Sequence, residues 1–190
     1  MPFGSNWSEE LVAEWLYLKK YFVEMHIPAR STKVGGRFAP DIVGVRFRNN
    51  VLEILHAEVG SFYISKDDVE EKLKKKFSSE VEESIKNHVA EKFQMGENIK
   101  TSYKKLVVCS YLPEEAREEV AKEQIEIKFF DDVIDECLKE IKDYRPYEAK
   151  KSTRPTLPEH LWLLKLLEYI RGSYELKRKE KSKRNKKLET

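Results

Sequence analysis

Two β-branched runs, DIVGVRFR over residues 41–48 and VLEILHAEVG over residues 51–60, are separated only by Asn49-Asn50. Asparagine accepts positive φ at low cost, so this spacing predicts a tight turn and an antiparallel hairpin. The flanking segments then define the class. Residues 7–24 predict a helix, opened by a capping box of Asn6 and Glu9, with Leu11, Trp15, Leu18 and Phe22 on one apolar stripe. It stops before Pro28, and residues 29–40, with Gly35, Gly36 and Pro40, predict a loop or irregular strand. After the hairpin, Ser65 caps a long charged helix over about residues 66–94, whose Phe77, Val81, Ile85 and Val89 keep a helical stripe. KKLVVCSY at 104–111 predicts a buried strand, and Pro113 opens a helix through about residue 122. Residues 125–129 predict a short strand and 130–143 a helix. A hairpin followed by a crossover helix implies a mixed sheet flanked by helices, so the expected class is α/β.

Composition narrows the setting. The 190 residues fit one domain, or one with a small appendage. An aromatic content of 11% excludes a disordered chain, and 37% charged residues imply a solvated surface. No apolar run approaches the roughly 18 residues that span a bilayer. The first residues, MPFGSNWSEE, have neither a basic region nor an apolar stretch, so no secretory signal is expected. Cys109 and Cys137 lack zinc-finger spacing and suggest a reducing, cytoplasmic location. Glutamine is rare (Gln94 and Gln124) while Lys and Glu abound, a balance typical of hyperthermophile proteins. There is no Walker-type loop and no Ser/His/Asp arrangement, so nucleotide hydrolysis is not indicated.

The charge is unevenly distributed. Residues 177–187, KRKEKSKRNKK, hold eight Lys/Arg against one Glu, a net +7. The remaining 28 basic and 33 acidic residues give −5. Lys177, Arg178, Lys179, Lys183 and Arg184 could grip a polyanion such as DNA, or simply be the solvated end of a helix. Residues 144–156, with Pro146 and Pro155, predict a linker between a domain over 1–143 and a C-terminal helix over 157–176, ahead of a basic tail over 177–190. That helix is apolar on most of its circumference, so residues 157–171 need a cover, such as a homodimer mate or protein partner.

Asp41 and Glu58 are the residues that suggest chemistry. Asp41 lies eight residues before Asn49 and Glu58 eight after Asn50, so the hairpin should bring both to one end. Two carboxylates at a sheet edge form a hard-oxygen site for Mg²⁺ or Mn²⁺, which could serve phosphodiester hydrolysis. They also read as ordinary strand-end acids in so charged a chain.

Pro40-Asp41 opening one strand and Glu58-Val59-Gly60 closing the next resemble the motif of the PD-(D/E)XK nuclease superfamily. The element order over about residues 7–130 is similar to its helix, three strands, helix, strand core. The likeness is nearest to the archaeal Holliday junction resolvase and Mrr-like restriction endonuclease branches. It implies a restriction-endonuclease-like core with an extra C-terminal helix, metal held by Asp41 and Glu58, and help from Glu10 on the first helix, with Glu14 as fallback. In this family the motif ends in a lysine that orients the attacking water; here Gly60 stands there. The family sometimes moves that lysine to a neighbouring element, which implies Lys66 or Lys72, with His56 as a further candidate. Lys66 and Lys72 also fit a solvated helix face. Lys33 and Arg37, flanking Gly35-Gly36, lie where the likeness puts the nucleic-acid face. The expected function is a metal-dependent DNA endonuclease. The alternatives are a nuclease-fold protein without catalysis that binds nucleic acid or serves a partner, and an interaction module built on the apolar helix.

Overall fold

Asn49 and Asn50 take φ of 51° and 60°, the left-handed pair that a two-residue hairpin turn requires. Around them the computed structural model pairs β2 (Ile42–Arg48) with β3 (Val51–Gly60), antiparallel and in the register set by the turn, from Arg48 opposite Val51 to Ile42 opposite Ala57. The structure describes residues 6–27, 39–62, 65–95, 99–144 and 155–173. The chain divides into two units, residues 2–133 and residues 134–190.

The first unit is built on a five-stranded mixed sheet in the order β1-β2-β3-β4-β5. β1 (Phe22–Met25) adds antiparallel to β2, while β4 (Lys100–Cys109) and β5 (Ile125–Phe129) continue parallel from β3. Parallel neighbours require the chain to cross the sheet. Helices α2 (Lys66–Lys76) and α3 (Ser79–Lys92) make the first crossover and α4 (Glu114–Lys122) the second. Period-two alternation sends Val43, Val45, Leu52 and Ile54 under Val81, Ile85 and Val89 of α3. Val107, Cys109 and Ile125 pack under Val69 and Leu73 of α2 and Ala116 and Val120 of α4. The opposite face meets α1 (Trp7–Leu18): the Lys128 ammonium lies 5.7 Å over the Trp15 ring. The fold is thus α/β, an open mixed sheet flanked by helices.

Two elements of this unit depart from expectation. The first helix ends at Leu18 instead of about residue 24. Asn6 caps it as expected, accepting from the Ser8 and Glu9 amides. At the other end Lys20 takes φ 67°, and the Lys20 and Tyr21 amides close back on the Tyr17 and Leu16 carbonyls. Phe22, the expected last member of the apolar stripe, stands on edge strand β1 with 71% exposure. The long helix over 66–94 is two helices. Phe77 ends α2, and the Ser78 hydroxyl accepts the Val81 amide to start α3.

The second unit holds most of α5 (Phe130–Glu140), a 3₁₀ turn at Ile141–Asp143, and a helix over residues 162–173 (α6). The helix expected from 157 begins later, because the Leu161 amide closes a turn on the Pro158 carbonyl and helical bonding starts with Lys165 to Leu161. Leu157, Leu161 and Leu164 are buried, while Trp162, Leu166, Tyr169 and Ile170 are exposed. Most of the expected linker over 144–156 lies outside the described residues. Among the described residues no helix is long and apolar enough to cross a membrane.

Candidate active site

The hairpin register carries Asp41, just before β2, to the level of Glu58 near the end of β3. The Val59 amide donates to Asp41 Oδ2 at 2.9 Å and ties the loop end to the strand. Glu58 is 4% exposed. A buried carboxylate needs partners, and Glu58 has one on each oxygen. The His56 imidazole bonds Oε1 through Nε2 at 2.8 Å, and the Lys76 ammonium lies 2.7 Å from Oε2. Lys76 Nζ also lies 3.6 Å from Asp41 Oδ1 and donates to the Ala39 carbonyl at 3.1 Å. One ammonium from the last turn of α2 thus serves both acids and the loop leading into β2.

Electrostatics separates the two acids. Burial, then the Glu58 charge, pushes Asp41 up to about 6, against the pull of the Val59 amide and Lys76. Burial also opposes the charged form of Glu58, but His56 and Lys76 outweigh it and hold Glu58 below the usual carboxylate range. Burial lowers the Lys76 ammonium, and Glu58 and Asp41 more than restore it, so it titrates above an ordinary lysine. Two acids facing one ammonium leave the cluster one positive charge short when both are ionised.

Behind Glu58 lies a buried polar chain. His56 is fully buried on β3, and its Nδ1 is 2.9 Å from the Tyr103 hydroxyl on β4. Its ring also packs on Phe77, with centroids 4.5 Å apart. Burial lowers its basicity, so the imidazole is neutral. With Glu58 ionised, Nε2 is the protonated nitrogen and Nδ1 accepts from Tyr103.

A second ionic cluster stands near the turn end of the hairpin. Glu53 on β3 receives the Tyr21 hydroxyl, Arg46 at 2.8 Å and Lys104 at 2.7 Å. Tyr21 lies against Gly44, where an added Cβ would come within 3.0 Å of its ring, and the Arg46 guanidinium lies 4.3 Å from the centroid of that ring. One carboxylate facing two cations leaves this cluster one positive charge in excess, and it ties the chain entering β1 onto the hairpin.

Of the other residues expected at the site, His56 lies against Glu58, while Lys66 and Lys72 make their contacts elsewhere. Lys66 pairs with Glu70 at 3.6 Å on the exposed face of α2. Lys72 is exposed, its ammonium 5.1 Å over the Phe62 ring. The lysine at the carboxylates is instead Lys76, which sequence reasoning passed over. A signal existed: Lys76 lies between Leu73 and Phe77, inside the buried Val69–Leu73–Phe77 stripe. Glu10 and Glu14 are buried on α1. Among the described residues no three His, Cys, Asp or Glu side chains lie close enough to hold a metal ion, so Glu10 is not drawn in beside Asp41 and Glu58. Lys33, Arg37, Lys177, Arg178, Lys179, Lys183 and Arg184 lie outside the described residues. Cys109 is buried, with burial pushing its thiol up to about 11, which makes it an inert core residue.

No protein-family model matches the chain, and no curated protein is significantly similar to it in sequence.

Proposed function

We propose that the chain is a metal-dependent DNA endonuclease of the PD-(D/E)XK type, with Asp41, Glu58 and Lys76 as its catalytic set. The observation that carries this reading is the Lys76 ammonium against both carboxylates, 2.7 Å from Glu58 and 3.6 Å from Asp41. The motif lysine missing at Gly60 is thereby supplied from α2. The order of α1, the β1–β3 meander, the α2–α3 crossover and parallel β4 supports a restriction-endonuclease-like core. The motif residues resemble those of the archaeal Holliday junction resolvase and Mrr-like branches.

The donor set fits Mg²⁺ or Mn²⁺. Two carboxylates form a hard-oxygen pair, and Asp41, pushed up to about 6 by burial and by Glu58, lacks a full counter-charge that a divalent cation would provide. Asp41 and Glu58 would hold the ion. The bound metal supplies the Lewis acid that activates water and stabilises charge on the phosphodiester. Lys76 acts as a fixed positive donor at the edge of the carboxylate pair. It orients the attacking water and neutralises charge that develops as the phosphodiester breaks. Asp41 and Glu58 keep that ammonium charged. The basic tail and the Lys33–Arg37 loop would supply the sequence-independent grip on DNA.

A second reading rests on Gly60 itself. A chain that had lost the motif lysine and kept Lys76 only to compensate buried acids would bind DNA or serve a partner subunit without cutting. The deciding experiment is cleavage of supercoiled plasmid and branched DNA with Mg²⁺ or Mn²⁺, comparing wild type with Asp41→Ala, Glu58→Ala and Lys76→Ala. Metal-dependent nicking abolished in all three variants supports the endonuclease. A wild type that binds DNA and never cuts it overturns that reading.

A further inference from the structure

The buried polar chain behind Glu58 takes no part in the chemistry proposed for Asp41, Glu58 and Lys76. His56 is fully buried among apolar residues, including Phe77 and the α3-facing side of β3. A polar ring there costs stability unless both nitrogens are satisfied. An aliphatic residue of similar size would pack the site without that requirement. Both nitrogens are in fact occupied, by Glu58 Oε1 at 2.8 Å and by the Tyr103 hydroxyl at 2.9 Å.

We infer that His56 and Tyr103 are positioning residues for the proposed catalytic centre: together they fix which oxygen of Glu58 faces the cation. The inference rests on the endonuclease reading. Three features of the geometry carry it. First, Oε1 is taken by the imidazole, so the oxygen presented to Lys76 is Oε2. Second, Tyr103 holds the other end of the ring. With Glu58 accepting from Nε2, Nδ1 is the bare nitrogen, and the Tyr103 phenol donates to it. Third, the same imidazole packs at a tilt against Phe77, the residue after Lys76. One ring therefore bears on both ends of the Glu58–Lys76 pair, by a hydrogen bond on one side and by packing on the other.

The four residues come from three elements. His56 and Glu58 lie two apart on β3 and so on one face of that strand. Tyr103 is on β4, where Ile54 is its register partner. Phe77 follows the last turn of α2. A carboxylate held this way is rotationally fixed before any ligand arrives. Outer partners of liganding groups commonly govern metal affinity or activity by about 10–100-fold.

The test compares wild type with His56→Leu, His56→Gln and Tyr103→Phe in the full chain. Three readouts are taken: thermal melting, Mn²⁺ binding by calorimetry, and the kcat and KM of plasmid nicking. His56→Leu should bind Mn²⁺ at least about tenfold more weakly and lose kcat, with KM for DNA unchanged. His56→Gln, which can again donate to Oε1, should recover most of both losses. Tyr103→Phe should show a smaller loss in the same direction. A merely structural histidine would lower the melting temperature in proportion and leave Mn²⁺ affinity untouched. Folded His56→Leu and Tyr103→Phe variants with wild-type Mn²⁺ affinity and kcat overturn the inference and leave the endonuclease standing. Should His56→Leu fail to fold, Tyr103→Phe decides alone, since it keeps the ring. A wild type that neither binds Mn²⁺ nor cuts overturns the endonuclease and this inference with it.

Discussion

Lys76 meets Glu58 at 2.7 Å although the two stand on different elements, one ending α2 and the other near the end of β3. The motif position two residues beyond Glu58 is Gly60, and a Cβ added there would meet nothing within 4 Å. A lysine could therefore be accommodated at either place. Lys76→Met should lower nicking by roughly 10²–10⁴-fold, the range of a positioned group that manages proton and charge. The double variant Lys76→Met with Gly60→Lys should recover part of that loss in the same plasmid assay. No recovery would mean that the ammonium must approach from the α2 side.

Asp41 predicts an unusual pH profile of stability. Its carboxyl titrates near 3.8 in the unfolded chain and is pushed up to about 6 in the fold, by burial first and by Glu58 second. Between those values the folded chain holds a proton that the unfolded chain has released. Stability from this group therefore falls as pH rises from about 4 to about 6, then levels off. Glu58 acts in the opposite sense: its folded value lies below the ordinary 4.5, so its contribution is present above that pH and lost on acidification. In metal-free buffer Asp41→Asn should be more stable than wild type by roughly 1–3 kcal/mol at pH 7.5, with the gain vanishing near pH 4. Urea denaturation at the two pH values measures it. A gain of equal size at both would rule out the Asp41 carboxyl as its source.

Divalent metal should reverse that penalty. At a Mn²⁺ concentration about 100 times its Kd, wild type should gain about 2.7 kcal/mol of stability, while Glu58→Ala should gain almost nothing. Chelation with EDTA should return wild type to its starting melting temperature and abolish nicking. A melting temperature indifferent to Mn²⁺ in wild type would contradict the metal site.

The basic tail should act on affinity rather than chemistry. Removing residues 177–190 should reduce the slope of log K against log salt by about 0.9 for each DNA phosphate the tail had neutralised. The single-turnover cleavage rate at saturating DNA should stay within about twofold of the full chain, because a sequence-independent grip holds ground state and transition state equally. An unchanged salt slope would show that the tail does not grip DNA.

The hairpin and the pairing of Asp41 with Glu58 were legible because both follow from one local count. Asn49-Asn50 sets the register, and residues equidistant from it must meet. Lys76 was not, because it ends a Lys74-Lys75-Lys76 run that looks like solvated charge. Its place in the site depends on where α2 stops and how it docks, and that break comes from Ser78 capping α3. β1 was hidden for a similar reason. Phe22 continues the helical period of α1, and only pairing with β2, a non-local event, makes that segment a strand. Tyr103 could not be linked to His56 from sequence, since parallel register across the α2–α3 crossover has no local signal.

Because Lys76 rides on α2 and not on the strand that bears Glu58, the centre is assembled only while that helix is seated. A lysine at position 60 would travel with β3 and remain armed whenever the sheet was intact. Here a local opening that lifts α2 would withdraw the ammonium and leave two crowded acids, disarming the centre without melting the sheet. Amide exchange should accordingly be faster in α2 than in β3 and β4, and nicking should fade on warming before the sheet signal is lost. The fold would then carry its own safety catch, with competence to cut tied to the seating of one eleven-residue helix.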